Sequence, residues 1–500
     1  MQELSQSAGK DHRTDRLVRT LIILVVSVLT LSLAASVTVD AQAGQKAKKH
    51  RVGGKVKKAW PRVGNPPKTR LAKWLARQVG PVKKCGKKRT VGPKRARVLA
   101  NRKRQRCLRW HRKIGVSASA SAVTSAGDPG APAFRASGPR ASVSASGTSD
   151  PTLLARSFQI PKDDPDYDRL LNWSWTYDSA VTAAAFVSLG EKEQATQMLD
   201  QLAALQFNTG AIDIAFNVVS GQGAGQYRSG NVAWLGLAAA SYDIRFGSDR
   251  YLDTSRRAAA FLTDLQGQHG LVRGGPKIEW YSTLHNLIAY TFFVRLAEAD
   301  PDGSKRYLET AGQIADGIDS NLMVDDKSGL HFRQGLNDDV EPLDVQAIGA
   351  IYLAGRGEKS DAGDVVDRIP GSFGVKNRKI QKSSNVRKYN MTWSSSEFFT
   401  GFKPYNSNKV PDVIWFEGNA QVRAATAATG RSVKDLDQQS KKWRDVTAKG
   451  GSAAPLQSNE TVTDINPDID VEYHVWPAAA GAAWWILAAN DPQFLFAPMP

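Results

Sequence analysis

A sixfold recurrence in the C-terminal two-thirds of this chain limits its possible folds more than any other feature. Six times after residue 170, an apolar helical pattern rich in small residues begins just after a cluster of aromatic, acidic or amide residues. Apolar residues at helical spacing indicate helices that pack on other helices, so the recurrence predicts a closed ring of helices. The clusters would gather around a pocket at one mouth of the ring. They occupy residues 175–178, 228–231, 279–286, 341–346, 415–421 and 472–476.

Most of these patterns are followed by a second, more amphipathic helical pattern, often after a glycine. The sequence therefore predicts an all-α fold, an (α/α)6 barrel or six-hairpin toroid, preceded by a signal segment, a basic region and a flexible linker. The partner of the sixth inner helix is either the segment near 151–158 or missing. The predicted inner helices are 177–189, 232–246, 284–299, 344–353, 417–429 and 474–489, and the outer ones are 191–206, 250–265, 305–321, 361–368 and 433–446.

The net charge of +19 belongs to one segment. Residues 41–115 contain 27 Lys or Arg and no Asp or Glu, whereas residues 116–500 contain 36 basic and 44 acidic residues. The large domain is thus mildly acidic, and the charge does not make the protein a nucleic-acid binder. We expect the basic region to bind an anionic cell-wall polymer or membrane surface, the alternative being a solvated tail.

The N-terminus has the pattern of an export signal. Arg13, Arg16 and Arg19 precede an apolar run at 21–33, and small residues at 41–43 form a plausible cleavage site. A signal anchor stays an alternative, because positive charge just after an apolar run opposes translocation. We therefore expect a secreted or cell-surface protein.

Four segments follow from these patterns. The only cysteines, Cys85 and Cys107, could form one disulfide after export. No metal site and no cofactor motif is predicted. The segments are a signal peptide or signal anchor at 1–43, a Lys/Arg-rich region at 44–115, a Ser/Ala/Gly-rich linker at 116–150 and the barrel domain at 151–500.

The motifs of the large domain resemble those of the six-hairpin glycosidase-like superfamily, in particular its secreted bacterial members. The resemblance covers roughly residues 165–495. It implies carbohydrate binding at the mouth of the ring and often glycoside hydrolysis with inversion. At Leu284 the family pattern has an acidic residue, so altered or lost catalysis is an alternative. The motifs are Trp-Thr-Tyr-Asp-Ser-Ala at 175–180, Tyr-Ser-Thr-Leu-His-Asn-Leu-Ile-Ala-Tyr at 281–290, Trp-Phe-Glu-Gly-Asn-Ala-Gln at 415–421 and Val-Trp-Pro-Ala-Ala-Ala-Gly-Ala-Ala-Trp at 475–484.

Glycoside hydrolysis needs one protonated and one ionised carboxyl group on either side of the scissile bond. The preferred pair is Glu279 as acid and Glu472 as base, because some inverting enzymes with this fold resemble that layout and Glu279 has aromatic neighbours in sequence. Asp344 and Glu417 form the alternative pair, and Asp178 is a further candidate. Helix capping would explain each of these acids without catalysis.

Aromatic rings and amides in the same clusters are candidates for binding a polysaccharide or oligosaccharide, although core packing and buried backbone bonds would also explain them. Two other functions stay open: a non-catalytic carbohydrate-binding protein, and a polysaccharide lyase. The predicted substrate-binding residues are Trp175, Tyr177, Asn231, Trp280, His285, Asn286, Gln346, Trp415, Gln421, His474 and Trp476.

Overall fold

The structure is a computed structural model, and it describes residues 68–80, 152–162, 164, 166–267, 269–380, 398–449, 454–462 and 472–498. The predicted signal segment, the linker, most of the basic region and both cysteines lie outside these residues. Among the helices that are described, none is long and apolar enough to cross a membrane.

Six inner helices form a closed ring, which confirms the predicted all-α (α/α)6 barrel. Each packs on the next along the chain, and the last packs on the first. The inner helices are buried over most of their length, because neighbours cover their sides and outer helices cover their backs. They are α3 (Thr176–Leu189), α5 (Ser229–Phe246), α7 (Thr283–Ala299), α9 (Leu343–Gly355), α11 (Phe416–Ala428) and α13 (Ala479–Asn490).

Small residues let the inner helices approach closely. At Gly236 in α5, an added Cβ would lie 2.5 Å from the ring of Phe292 in α7. The hairpins between inner and outer helices turn at glycines with positive φ, such as Gly190 at 75° and Gly247 at 61°, a conformation that side chains disfavour.

Five outer helices each pack on the inner helix that precedes them. Their buried residues form one stripe, as in the Ala195, Met198, Leu199 and Leu202 set of α4. The outer helices are α4 (Lys192–Leu205), α6 (Leu252–Asp264), α8 (Ser304–Asn321), α10 (Lys359–Phe373) and α12 (Lys434–Lys449).

The sixth outer position is filled from the basic region. Helix α1 (Lys68–Gln78) packs on α13 and α3, the two inner helices that close the ring. Trp74, only 2% exposed, and Leu75 are buried in the main core. The expectation that the sixth partner comes from 151–158 or is missing is therefore wrong, and the predicted domain start at 151 leaves this outer helix outside.

Residues 154–160 form a strap between α1 and the mouth of the ring. The Trp74 indole Nε1 donates to Gln159 Oε1 at 2.9 Å, and the Arg156 amide donates to the Gln78 carbonyl at 3.1 Å. On its other side, the strap accepts a bond at the Ser157 carbonyl from the Ala479 amide, at the start of α13. The strap thus connects the basic region to the inner-helix N-termini.

Short antiparallel strand pairs support several of those N-termini. One pairs Ser174 with Phe216, a second pairs Met323 with Phe332, and a third pairs Gly374 with Phe402. A further short helix, α2 (Tyr167–Leu170), precedes the first strand. The strands are β1 (Trp173–Trp175), β2 (Ala215–Asn217), β3 (Met323–Asp326), β4 (Gly329–Phe332), β5 (Gly374–Arg378) and β6 (Phe399–Phe402).

Candidate active site

A cavity of about 430 Å³ opens where the N-termini of the inner helices meet. The strap, α2, the first turns of the inner helices and the loops near them supply its wall, so residues that are far apart in sequence face one space. Most of the predicted site residues line it: Trp175, Tyr177, Asp178, Asn231, Trp280, His285, Asp344, Trp415, Glu417, Glu472, His474 and Trp476.

Glu279 does not line this cavity. Its side chain is 80% exposed and bonds Arg273 at 3.1 Å, whereas the next residue, Trp280, faces the cavity. The expectation of an apolar, aromatic setting for Glu279 is therefore wrong, and the structure does not bring Glu279 together with Glu472.

Of the three predicted binding amides that do not line the cavity, two instead hold the scaffold together. The Asn286 side chain accepts from the Val272 amide and donates to the Val272 carbonyl, so it fixes the loop before α7. Gln346 bonds both backbone groups of Phe332 in the same way before α9. Gln421 lies one turn behind the cavity wall, where its amide nitrogen is 3.5 Å from Glu417 Oε1.

Three carboxyl groups in the cavity have raised pKa values, and burial is the largest cause in each. Burial raises the pKa of Asp178 to about 7, against a lowering bond from Ser157 on the strap. It raises the pKa of Asp344 to about 6, against bonds from backbone amides at the start of α9. The pKa of Glu417 rises to about 8, because the charges of Asp178 and Asp344 add to burial.

Two aromatic side chains form a chain of hydrogen bonds that ends on Glu417. The Tyr177 hydroxyl donates to Glu417 Oε1 at 2.5 Å, and the Trp484 indole nitrogen donates to the Tyr177 oxygen at 2.7 Å. Burial, followed by the charge of Glu417, raises the pKa of Tyr177 well above its usual range, so this hydroxyl keeps its proton. Trp234 packs edge-on against both rings.

His285 is a neutral polar group in the wall. Burial and the nearby Arg228 lower its pKa to about 3. Its Nδ1 lies 3.0 Å from the Ser229 hydroxyl at the start of α5, and the ring packs closely on Gly230, where an added Cβ would come within 2.4 Å. His285 can therefore form a hydrogen bond with an uncharged ligand without changing its charge near neutral pH.

The rim carries a network of charges beside stacked rings. His474 stacks on Trp476 with centroids 3.7 Å apart, and its Nε2 lies 3.1 Å from Glu472. One ligand atom each of Asp166, Glu472 and His474 lies within 4.8 Å of the others, a spacing that a divalent cation could bridge. Arg169 already lies 2.8 Å from Asp166 and 3.9 Å from Glu472 and supplies the compensating positive charge.

Several residues of the site were missed at the level of sequence. Trp234 lies one helical turn after Asn231. This spacing places both residues on one face of the helix, so Trp234 could have been predicted from the position of Asn231. Trp484 was noted only as the last residue of the 475–484 motif, and Ser157 lies outside the six clusters, so neither was expected at the site.

No protein-family model and no curated protein matches this chain. Among solved structures, a wild-type glycosidase is similar at 11% identity and a TM-score of 0.48, over 70% of this chain and 94% of its own. A family 76 glycoside hydrolase (mannosidase) from Bacteroides thetaiotaomicron is similar at 12% identity and 0.46, over 69% and 93%. A D-mannose isomerase is similar at 12% and 0.43, over 68% and 91%. Likeness at this level assigns no activity to the chain.

Proposed function

We propose that this protein is a glycoside hydrolase acting on a polysaccharide or oligosaccharide, with Glu417 as the general acid and Asp344 as the general base. One observation supports this most directly: Asp178, Asp344 and Glu417 line a single cavity whose wall is rich in indole and phenol rings. Carboxyl groups that share one cavity lined by aromatic rings suit a neutral, polyhydroxylated ligand that must be protonated at one oxygen and attacked at the anomeric carbon.

The environments of the two acids separate their roles. With pKa values of about 8 and about 6, Glu417 keeps its proton at neutral pH while Asp344 is mostly ionised. Pairs of titratable groups whose environments push their pKa values apart are typical of acid and base assignments. This pair is the alternative that the sequence left open.

The proposed reaction is a single displacement. Glu417 gives its proton to the glycosidic oxygen as the bond from that oxygen to the anomeric carbon breaks, and the bonding electron pair stays on the oxygen. A water molecule attacks the anomeric carbon and loses one proton to Asp344, which inverts the configuration. Exchange with solvent then restores both carboxyl groups.

A lyase is a weaker candidate. Lyases remove a proton next to a uronate carboxylate and need cations to neutralise that group. Arg169 is the only Lys or Arg among the described residues that line the cavity, and it is already paired with acids.

Leu284 also lines the cavity, so it adds apolar surface where the family pattern has an acid.

The experiment uses the full chain, because α1 belongs to the barrel. A panel of neutral and acidic polysaccharides is incubated with the protein, and new reducing ends are measured. Glu417→Gln and Asp344→Asn should each lower turnover by about 10²–10⁴-fold. Glu279→Gln, on the exposed side chain, is the matched control and should retain activity.

The products separate the alternatives. NMR of the first product should show an inverted anomer. Turnover that is indifferent to both substitutions would overturn the assignment of the pair. Binding without turnover on every substrate would indicate a carbohydrate-binding protein, and an unsaturated uronate product would indicate a lyase.

We also propose that the protein is exported and held at an anionic cell surface by its basic region. The support is the apolar run at 21–33 and the 27 cations without an acid in 41–115. Fractionation of cells should place the protein outside the cytoplasm and release it with salt, since salt screens such contacts. A cytoplasmic location, or attachment that salt does not weaken, would contradict the proposal.

A further inference from the structure

We infer that Tyr177, oriented by Trp484, is a positioning residue that keeps the transferable proton of Glu417 on Oε2. This inference rests on the proposed function, since it specifies how the general acid of that reaction is held. It follows from the number of protons that each group can donate and from three distances in the structure.

Trp484 fixes the direction of the bond between Tyr177 and Glu417. An indole nitrogen is only a donor, so at 2.7 Å the Tyr177 oxygen must accept from it. The single proton of the Tyr177 hydroxyl is then left for its other close partner, Glu417 Oε1, at 2.5 Å. A phenol that keeps its proton over the whole working pH range makes this arrangement permanent.

Glu417 Oε1 therefore accepts and does not carry a proton. The side-chain nitrogen of Gln421, 3.5 Å away, approaches the same oxygen. A protonated carboxyl group has one O–H, so the proton of Glu417 resides on Oε2. Glu417 lines the cavity and Tyr177, which Trp484 orients, holds Oε1, so Oε2 is the oxygen left to present a donor to the substrate.

The same bond assists the acid after proton transfer. The hydrogen bond from Tyr177 stabilises the carboxylate form and lowers the pKa of Glu417, against the larger raising effect of burial. Loss of the hydroxyl should therefore make Glu417 a weaker acid and leave its proton free to occupy either oxygen.

The test is Tyr177→Phe in the full-length protein. The protonation of Glu417 is followed by infrared difference spectroscopy of its carboxylic-acid stretch against the Glu417→Gln protein. The midpoint should rise by about one pKa unit, because a hydrogen bond to a charged group contributes roughly that much. On a cleaved substrate, kcat should fall by about tenfold with little change in KM, and the alkaline limb of the pH profile should move upward.

Two further variants provide a control and a replacement for the primary variant. Tyr290→Phe removes another buried hydroxyl, which donates to the Ala497 carbonyl at 2.7 Å outside the cavity wall, and should leave the midpoint unchanged. Trp484→Phe removes only the indole donor and should give a smaller upward shift. It replaces the primary variant if Tyr177→Phe does not fold.

The outcomes separate this inference from the proposed function. A raised midpoint without turnover of any substrate would support the positioning role and remove the hydrolase. Turnover with an unchanged or lowered midpoint in Tyr177→Phe would overturn the positioning role and leave the hydrolase standing. An equal shift in Tyr290→Phe would also overturn it, because the effect would then be general to buried tyrosines.

Discussion

Replacing Glu417 by glutamine should stabilise the protein increasingly as the pH rises, and this can be tested without knowing the substrate. A carboxyl group whose pKa is raised by folding binds its proton more tightly in the folded state. Its ionisation therefore costs stability. That cost is absent below the unfolded pKa, appears as the pH rises, and is complete above the folded pKa. Glutamine has the same shape and never ionises.

The magnitude follows from the shift of Glu417, from 4.5 to about 8. With 1.36 kcal/mol for each pKa unit, the cost is about 1 kcal/mol at pH 5 and at most about 4 kcal/mol at pH 8. The stability difference between Glu417→Gln and the wild type should therefore grow by roughly 3 kcal/mol between these pH values. A shift of this size is a large fraction of the stability of a typical folded protein.

The assay is urea unfolding followed by tryptophan fluorescence at pH 5 and pH 8, with both proteins measured side by side. Glu279→Gln is the matched control, because its carboxylate is exposed and should give no such growth. A difference for Glu417→Gln that stays constant or shrinks with pH would refute the buried, proton-retaining environment on which its role as an acid depends.

Three further outcomes are expected. The pH profile of kcat/KM should be bell-shaped, falling below about pH 6 as Asp344 is protonated and above about pH 8 as Glu417 ionises, whereas a profile flat through both values would contradict the pair. Trp74→Ala should cost about 3–5 kcal/mol in urea unfolding, because it empties a buried site under the sixth outer helix, and a cost below about 1 kcal/mol would mean that α1 does not complete the barrel. Gly236→Ala should lower stability by about 1–3 kcal/mol through the clash with Phe292, and an unchanged melting temperature would show that α5 and α7 can separate.

The inner ring could be predicted from sequence because its helices carry their own signal. The expected helices at 232–246 and 284–299 correspond to Ser229–Phe246 and Thr283–Ala299 in the structure. Helices rich in alanine and buried on all sides need no distant information to be recognised. A cluster lies just before each of these helices, and most of the site residues predicted from the clusters line the cavity.

The sixth outer helix could not be predicted, because its partners are remote in sequence. Leu71, Trp74 and Leu75 give the segment an apolar side, but the surrounding cations favour a solvated segment. Only the back of α13, which no later outer helix covers, reveals where that side is buried. The indole of Trp74 is accordingly part of the core and not free for a surface partner.

The orientation of Glu279 could not be predicted, for a different reason. Its neighbours in sequence are aromatic, but its side chain is exposed and bonds Arg273, whereas the side chain of Trp280 lines the cavity. Spacing along a chain does not report this orientation unless the backbone conformation is known. The same limit applies to Asn286 and Gln346. Their side-chain amides bind backbone groups near the start of a helix, so they are not available to a ligand.

The closure of the ring has a consequence for synthesis. Helix α3 leaves the ribosome well before α13, the inner helix that packs on one of its flanks. Throughout elongation that flank has no native partner, so the nascent polypeptide carries exposed apolar surface and is prone to aggregation. Native assembly must therefore wait for the last helix, and a prematurely terminated product would be a substrate for chaperones and proteases.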